Sequence, residues 1–240
     1  MLTGSNIHIM KLSFFISLLT ALFLHMANAD AQTYTVKRIP AHVMEINGRG
    51  DHPGWKKAEL LTGFSYPWET AQAPATSFSA LWDGNWLYCL FRVNDDSVIT
   101  LVNKNDKLEV GASDRVEIFM ARDTGLSPYY CLEMDASGRV LDYRASYYRK
   151  MDYAWKWPNE QLIIKTSRSN NGYVVEIAVS IRSLNDLGLL QNKRLLAGLF
   201  RAERKGGEAR ANLHWISWIQ PNAAKPDFHI PSAFGTLMFE

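Results

Sequence analysis

Eight tryptophans stand in the 240-residue chain, and several of them sit in or beside proline-bearing loops, where an indole is hard to bury. These are the segments Tyr66-Pro67-Trp68, Trp155-Lys156-Trp157-Pro158 and Trp215-Ile216-Ser217-Trp218. Exposed aromatic rings mark ligand surfaces. The chemistry they suit is that of a sugar, whose flat C–H patches stack on an indole while its hydroxyls need fixed donors and acceptors from Asp, Glu, Asn, Arg or His. In an extended segment, period two puts the Trp155 and Trp157 rings on one side as a platform, with packing against the neighbouring loop as the alternative. Trp55, just after a loop into a helical turn, and Trp82, alternating with Phe78 and Ala80 before a turn, read as core residues.

Catalytic signatures are missing: the sequence has no Gly-x-Ser-x-Gly elbow, no His-Glu-x-x-His, no phosphate-binding glycine loop and no Cys-x-x-Cys-His. Glycoside hydrolysis needs only two carboxylates at a suitable separation, and Glu117, Glu133, Glu176 and Asp142 could supply them. Carboxylates on the solvent face of a strand are ordinary, however, so a non-catalytic binder is the expectation. Asp95, Asp96 and the stretch from Asp106 to Asp114 hold enough carboxylates for an oxygen-ligand calcium site, or are simply solvated loop charge. His214 and His229 lack metal-spaced partners and read as loop anchors.

The elements that must position these residues are short β-rich runs between turn signals. Phe78 to Trp82 and Trp86 to Val93 flank Asp83-Gly84-Asn85; Tyr129 to Asp135 and Arg139 to Ala145 flank Ala136-Ser137-Gly138; Leu162 to Arg168 faces Tyr173 to Val179 across Asn170-Asn171-Gly172. Arg115 to Ala121, Arg194 to Glu203, His214 to Ile219 and Thr236 to Phe239 add strands, and helix is confined to a turn from Pro53 and a short stretch from Ile181 to Leu187. Alternation assigns Leu87, Cys89, Phe91 and Val93, then Val116, Ile118 and Met120, then Tyr173, Val175, Ile177 and Val179 to the core, leaving Glu117 and Glu176 on the outer face. The expected fold is an all-β, two-sheet antiparallel sandwich with one or two short helices.

Lys11, the apolar run Leu12 to Met26 and the small residues Ala27-Asn28-Ala29-Asp30-Ala31 read as a signal peptide cleaved after Ala29 or Ala31, preceded by an N-terminal extension. Residues 32–240 then form one domain, exported to the periplasm or beyond, with no membrane span after cleavage and no cysteine for a lipid anchor. A formal charge of +2 offers no basic stripe and makes nucleic acid an unlikely partner. Cys89 and Cys131 are compatible with one disulfide or with two buried thiols.

The last segment is the most specific. Trp215 to Trp218, the loop to Ile230, and Pro231-Ser232-Ala233-Phe234-Gly235 resemble the C-terminal block of family 9 carbohydrate-binding modules. The likeness continues upstream in order through Ile46-Asn47-Gly48 and Trp55, Leu81-Trp82-Asp83 with Leu87-Tyr88, Asp114-Arg115-Val116-Glu117-Ile118-Phe119, and Gly172-Tyr173-Val174-Val175-Glu176, spanning residues 40 to 240. The resemblance implies a sandwich that grips terminal sugars of glucans and xylans between two tryptophans, with calcium at structural sites. One of those tryptophans corresponds to Phe228 and the other to Gly111, so a ring is missing in place, and Trp155, Trp157 or Trp68 could supply it from another loop. Glu117 matches the strand glutamate that hydrogen-bonds sugar hydroxyls. Phe228 and Glu117 head the expected site, followed by Trp155, Trp157, Trp68, His229, Asp227 and Trp218. The resemblance further implies a role beside secreted glycoside hydrolases in polysaccharide degradation. Distant DOMON-like sandwich relatives raise a competing reading, a b-type haem held by Met120, Met134 or Met151 with His214 or His229.

Overall fold

The computed structural model describes Met1 and residues 32–206 and 212–240, so the expected leader lies, but for Met1, outside the described residues. Those residues form β1 (Thr33–Arg38), β2 (Thr76–Trp82), β3 (Trp86–Asn94), β4 (Arg115–Ala121), β5 (Tyr129–Asp135), β6 (Val140–Ser146), β7 (Lys150–Asp152), β8 (Leu162–Ser169), β9 (Gly172–Ser180), β10 (Leu190–Gln191), β11 (Arg194–Arg204), β12 (Leu213–Ser217) and β13 (Gly235–Phe239). Helix is limited to α1 (Ile181–Asp186) and 3-10 turns at Pro53–Lys57, Lys107–Ala112 and Pro231–Ala233. The chain is all-β, and among the described residues no helix is long and apolar enough to cross a membrane.

The expected pair of separate sheets is not what the hydrogen bonds form. One continuous path runs β7-β6-β5-β4-β11-β13-β1-β2-β3-β9-β8, with β10 and β12 attached to β11. The join is β1, which changes partner partway along: Thr33 to Val36 run parallel to β13, and Lys37 and Arg38 run parallel to β2. Tyr34, whose backbone pairs with β13, reaches β2 with its side chain, its hydroxyl accepting from the Ala80 amide at 2.7 Å. Every other strand pairing among the described residues is antiparallel.

The two arms of this sheet share one apolar layer. Leu87, Cys89, Phe91 and Val93 of β3 meet Val116, Ile118 and Met120 of β4, Tyr173, Val175, Ile177 and Val179 of β9, and Leu195, Ala197 and Leu199 of β11. Alternation therefore selected the core-facing positions correctly. The opposite faces are also covered, against expectation. Phe119, Tyr129, Cys131, Tyr143, Phe200, Phe228 and Phe234 make a second cluster, and Ile39, Met44, Ile46, Trp55, Leu81, Tyr88 and Leu90 a third. Glu117 and Glu176 thus point away from the central layer yet are 1% and 0% exposed. Cys89 faces the central layer and Cys131 the second cluster, and both are free thiols.

Glu176 shows how a covering loop is attached. It accepts the Asn47 amide at 2.9 Å, the Gly48 amide at 2.6 Å and the Trp55 indole N–H at 2.7 Å. Gly48 has φ +88° and lies so close to Thr166 that a Cβ would stand 2.7 Å from its backbone nitrogen, so only glycine fits. The Ile46-Asn47-Gly48 motif and the Glu176 strand motif are two halves of one anchor. Replacing Glu176 with leucine strands three donors in a dry layer, each unmade bond costing about 1–3 kcal/mol. Glu176→Leu is expected to lower unfolding free energy by about 3–5 kcal/mol, and Glu176→Gln by less, read from urea-unfolding midpoints.

Candidate functional site

On β4, period two sets Arg115, Glu117 and Phe119 on the face turned from the central layer. The register places Glu117 directly opposite Glu133 of β5 on one side and Phe200 of β11 on the other. Trp215, paired with Ala202, extends the same face onto β12. Three loops close over it, bringing Trp68, then Arg149 from the β6–β7 turn, then Pro226, Asp227, Phe228 and His229 from the β12–β13 connection. The enclosed cleft measures about 70 Å³.

Two opposed buried carboxylates demand a cation between them, and Arg115 is that cation. Its guanidinium lies 2.8 Å from Glu117 Oε1 and 2.7 Å from Glu133 Oε2. Its remaining amino group donates to the Gly111 and Ser113 carbonyls at 3.1 and 3.3 Å. Tyr143 donates to Glu133 Oε1 at 2.8 Å, which completes Glu133. Glu117 Oε1 is different: it meets Arg115 as an ion pair at 2.8 Å but accepts no well-aligned hydrogen bond. Burial, reinforced by the Glu133 charge and opposed by Arg115, pushes the Glu117 carboxyl up to about 8.

Aromatic rings wall this floor. Trp215 lies 5.5 Å from the Arg115 guanidinium, a cation–π arrangement. Phe228 stacks on Phe200 at 4.0 Å and 9°, with Trp68 at 5.5 Å and Trp215 at 5.7 Å from its ring. Trp68 is fixed by its indole N–H, which donates to the Ala223 carbonyl at 2.8 Å. His229 stacks on Phe119 at 5.0 Å and shares a 2.9 Å hydrogen bond with the Tyr129 hydroxyl. Burial first, then the neighbouring Arg149 charge, pushes its imidazole down to about 4. Asp227 at the rim accepts from Tyr148 Oη at 2.5 Å and pairs with Arg149 at 3.0 Å.

Of the expected residues, Phe228, Glu117, Trp68, His229 and Asp227 come together here, although Phe228 is only 5% exposed and serves as a wall. Trp155, Trp157 and Trp218 do not. Trp218 is three residues from Trp215, an odd spacing that turns it to the central layer. Trp157 is buried in that layer with its indole N–H donating to Ser183 at 3.2 Å, and Trp155 packs against it and against Tyr130 at 4.9 Å. Gly111, where the resemblance places the absent ring, contributes a carbonyl to Arg115, and Trp68 stands in the cleft wall. Arg115 and Arg149 were not expected at the site, Trp215 was singled out only within the Trp215–Trp218 segment, and Glu133 only among the carboxylates weighed for hydrolysis. Arg115 was legible, being two residues from Glu117 and hence on the same face.

The calcium candidates do not fit a metal. Asp95 is paired with Arg201 at 2.8 Å and accepts the Ser97 amide; Asp114 accepts the Ile99 and Arg204 amides, both at 2.6 Å; Asp96 is exposed. Among the described residues no three His, Cys, Asp or Glu side chains converge as ligands. The haem reading fails too, because Met120 and Met134 lie in the central layer, on the other side of the sheet from His229, and a 70 Å³ cleft cannot admit a macrocycle. Met151 packs on the second cluster, and His214 bonds Glu69 at 2.9 Å. Of the carboxylates weighed for hydrolysis, Glu176 anchors a loop, and Asp142 pairs with Lys107 and accepts the Trp157 amide.

The shifted groups oppose each other in pH. Glu117 keeps its proton in the folded state after the unfolded chain has lost it, so its contribution is full below the ordinary glutamate range and is lost as pH rises through about 8. His229, neutral in the fold, contributes stability that is lost as pH falls from its ordinary 6.5 through about 4. Between about pH 6.5 and 8.5 only the Glu117 effect operates of the two. Thermal midpoints of the wild-type chain should fall across that window, and those of Glu117→Gln should stay flat.

The comparisons with known proteins agree with this architecture. The chain matches the model of the carbohydrate family 9 binding domain-like family over residues 46–240. It superposes on a protein from Bacteroides uniformis ATCC 8492, to which carbohydrate binding has been attributed, with a TM-score of 0.71 at 19% identity, over 88% of this chain and 100% of that one. A family 9 carbohydrate-binding module from Caldicellulosiruptor kristjanssonii superposes with TM-scores of 0.57 in its glucose complex and 0.58 in its cellotriose complex, both at 16% identity and over 87% of this chain. These cover 96% and 94% of the module. No curated protein matches the chain. The chain belongs to the carbohydrate family 9 binding domain-like family, a family of non-catalytic carbohydrate-binding modules.

Proposed function

We propose that the protein is an exported, non-catalytic receptor for neutral saccharides of the xylan or glucan class, holding one sugar unit at the cleft on β4, β5 and β11. One observation carries the reading: Trp68, Trp215 and Phe228 converge over a buried Arg115–Glu117–Glu133 set whose Glu117 Oε1 accepts no well-aligned hydrogen bond. A buried acceptor left unmade costs about 1–3 kcal/mol, and a ligand hydroxyl recovers it. Both arginines of the cleft are already paired with carboxylates, which favours an uncharged ring over a uronate or phosphate. Glu117 and Glu133 share one wall and one guanidinium, whereas hydrolysis calls for carboxylates flanking the scissile bond. Family membership and a relative of the same fold that holds glucose and cellotriose support the saccharide.

The leader-like residues 1–31 support a secreted or periplasmic location, where the protein would retain polysaccharide or oligosaccharide for secreted glycoside hydrolases. Titration calorimetry with xylo- and gluco-oligosaccharides tests the reading. Saturable binding is expected, with Trp68→Ala and Trp215→Ala each weakening it at least about tenfold, equal to about 1.4 kcal/mol. A wild-type chain silent to every saccharide overturns it.

A further inference from the structure

The cleft is too small for more than one end of an oligosaccharide. Its 70 Å³ falls far below the roughly 300 Å³ at which small-molecule pockets begin, so a saccharide enters by one edge or end and the rest of the chain lies outside. What it meets there is distinctive. Tyr147, Tyr148 and Tyr153 are 48%, 51% and 42% exposed, and no other tyrosine among the described residues is exposed to that degree. They flank β7, Tyr147 and Tyr148 on the turn before it and Tyr153 on the turn after it.

The connection is by contact. Arg149 lines the cleft, and its guanidinium lies 5.8 Å from the Tyr148 ring, whose hydroxyl bonds the rim residue Asp227. Tyr147 packs edge-on against Tyr148 at 5.3 Å. Tyr153, just after β7, rests 5.0 Å from Tyr143, the residue that donates to Glu133. The turns on either side of the outermost strand therefore present aromatic faces beside the cleft. A tyrosine offers an apolar body with a wet polar tip, the combination that a hydroxyl-bearing ring needs.

We infer that Tyr147, Tyr148 and Tyr153 form a shelf that stacks the second and third units of a saccharide whose first unit occupies the cleft, making the protein selective for chain length. The inference rests on the saccharide reading of the cleft. The polar residues interleaved with the rings, Arg149, Lys150 and Asp152, suit a hydroxylated ligand better than a dry protein interface.

Calorimetry with cello- and xylo-oligosaccharides of one to four units tests it. Wild-type affinity is expected to climb roughly fivefold per unit up to the third and then level, fivefold being about 1 kcal/mol. Tyr147→Ala combined with Tyr153→Ala should hold the one-unit affinity within twofold and flatten the climb. Tyr147→Leu with Tyr153→Leu, which keeps bulk without a π face, should flatten it likewise and guards against misfolding of the alanine pair. Wild-type affinity independent of length, or shelf variants that climb as the wild type does, overturns the shelf while leaving the cleft reading standing. No binding of any saccharide by the wild type removes both.

Discussion

A sheet covered on both faces can hold a charge only inside a closed set of partners, because an unpaired buried ion costs several kcal/mol. Arg201, with no exposed surface, answers Asp95 at 2.8 Å and Thr76 at 3.2 Å. Asp114, pushed up to about 6 by burial, is held by two backbone amides. Glu176 closes on two amides and an indole, and Arg115 on two carboxylates and two carbonyls. Each set ties a strand to a segment that covers it. Asp114 holds the turn at Ile99 and the end of β11 at Arg204; Glu176 holds residues 47 to 55. The outer layers are therefore bolted on by electrostatics as much as by apolar burial.

The floor of the cleft does not fully close, and neither does the Arg201 set, whose Nε has no hydrogen-bond partner among the described residues. Glu133 is satisfied by Arg115 and Tyr143, but the geometry that serves Glu133 leaves Glu117 beside the guanidinium without an aligned donor. Apolar side chains at these three positions would satisfy the same volume with no desolvation cost. Retaining an incomplete polar set on a rigid strand lowers stability and, on the proposed reading, supplies directed recognition, since its atoms cannot swing away from a ligand as loop side chains can. The cation–π contact of Trp215 with Arg115 then couples a wall to the floor, so stacking and hydrogen bonding are positioned by the same guanidinium.

Period-two alternation made the central layer legible, and turn residues made the hairpins legible, because both are local. Gly172 illustrates the second: at φ +138° a Cβ would fall 1.8 Å from the Val93 carbonyl oxygen, so the turn requires glycine. The ordered motifs carried Glu117 and Phe228 to the site. What alternation cannot state is whether an outer face meets water. Glu117 and Glu176 looked solvated because the segments covering them come from distant parts of the chain. For the same reason Trp155 and Trp157, in a proline-bearing stretch, looked exposed while the fold seals them against Tyr130 and Ser183. β1 escaped notice, and with it the single continuous sheet, since its six residues divide between two partners more than forty and two hundred positions away.

Trp215 and Trp218 state the remaining difficulty in its simplest form. Both are indoles on one short segment, and nothing in their type separates them. Their odd spacing guarantees opposite faces but does not say which face is which. The register of β12 on β11 decides it: Trp215 opposite Ala202 shares the face of Phe200 and Glu117, and Trp218 is sent inward. Ring placement at this site is thus a property of sheet pairing and of space, not of sequence position. Trp68, arriving from a loop far upstream, reaches Phe228 because the Ala223 carbonyl holds its N–H, while the Gly111 carbonyl braces the arginine beneath.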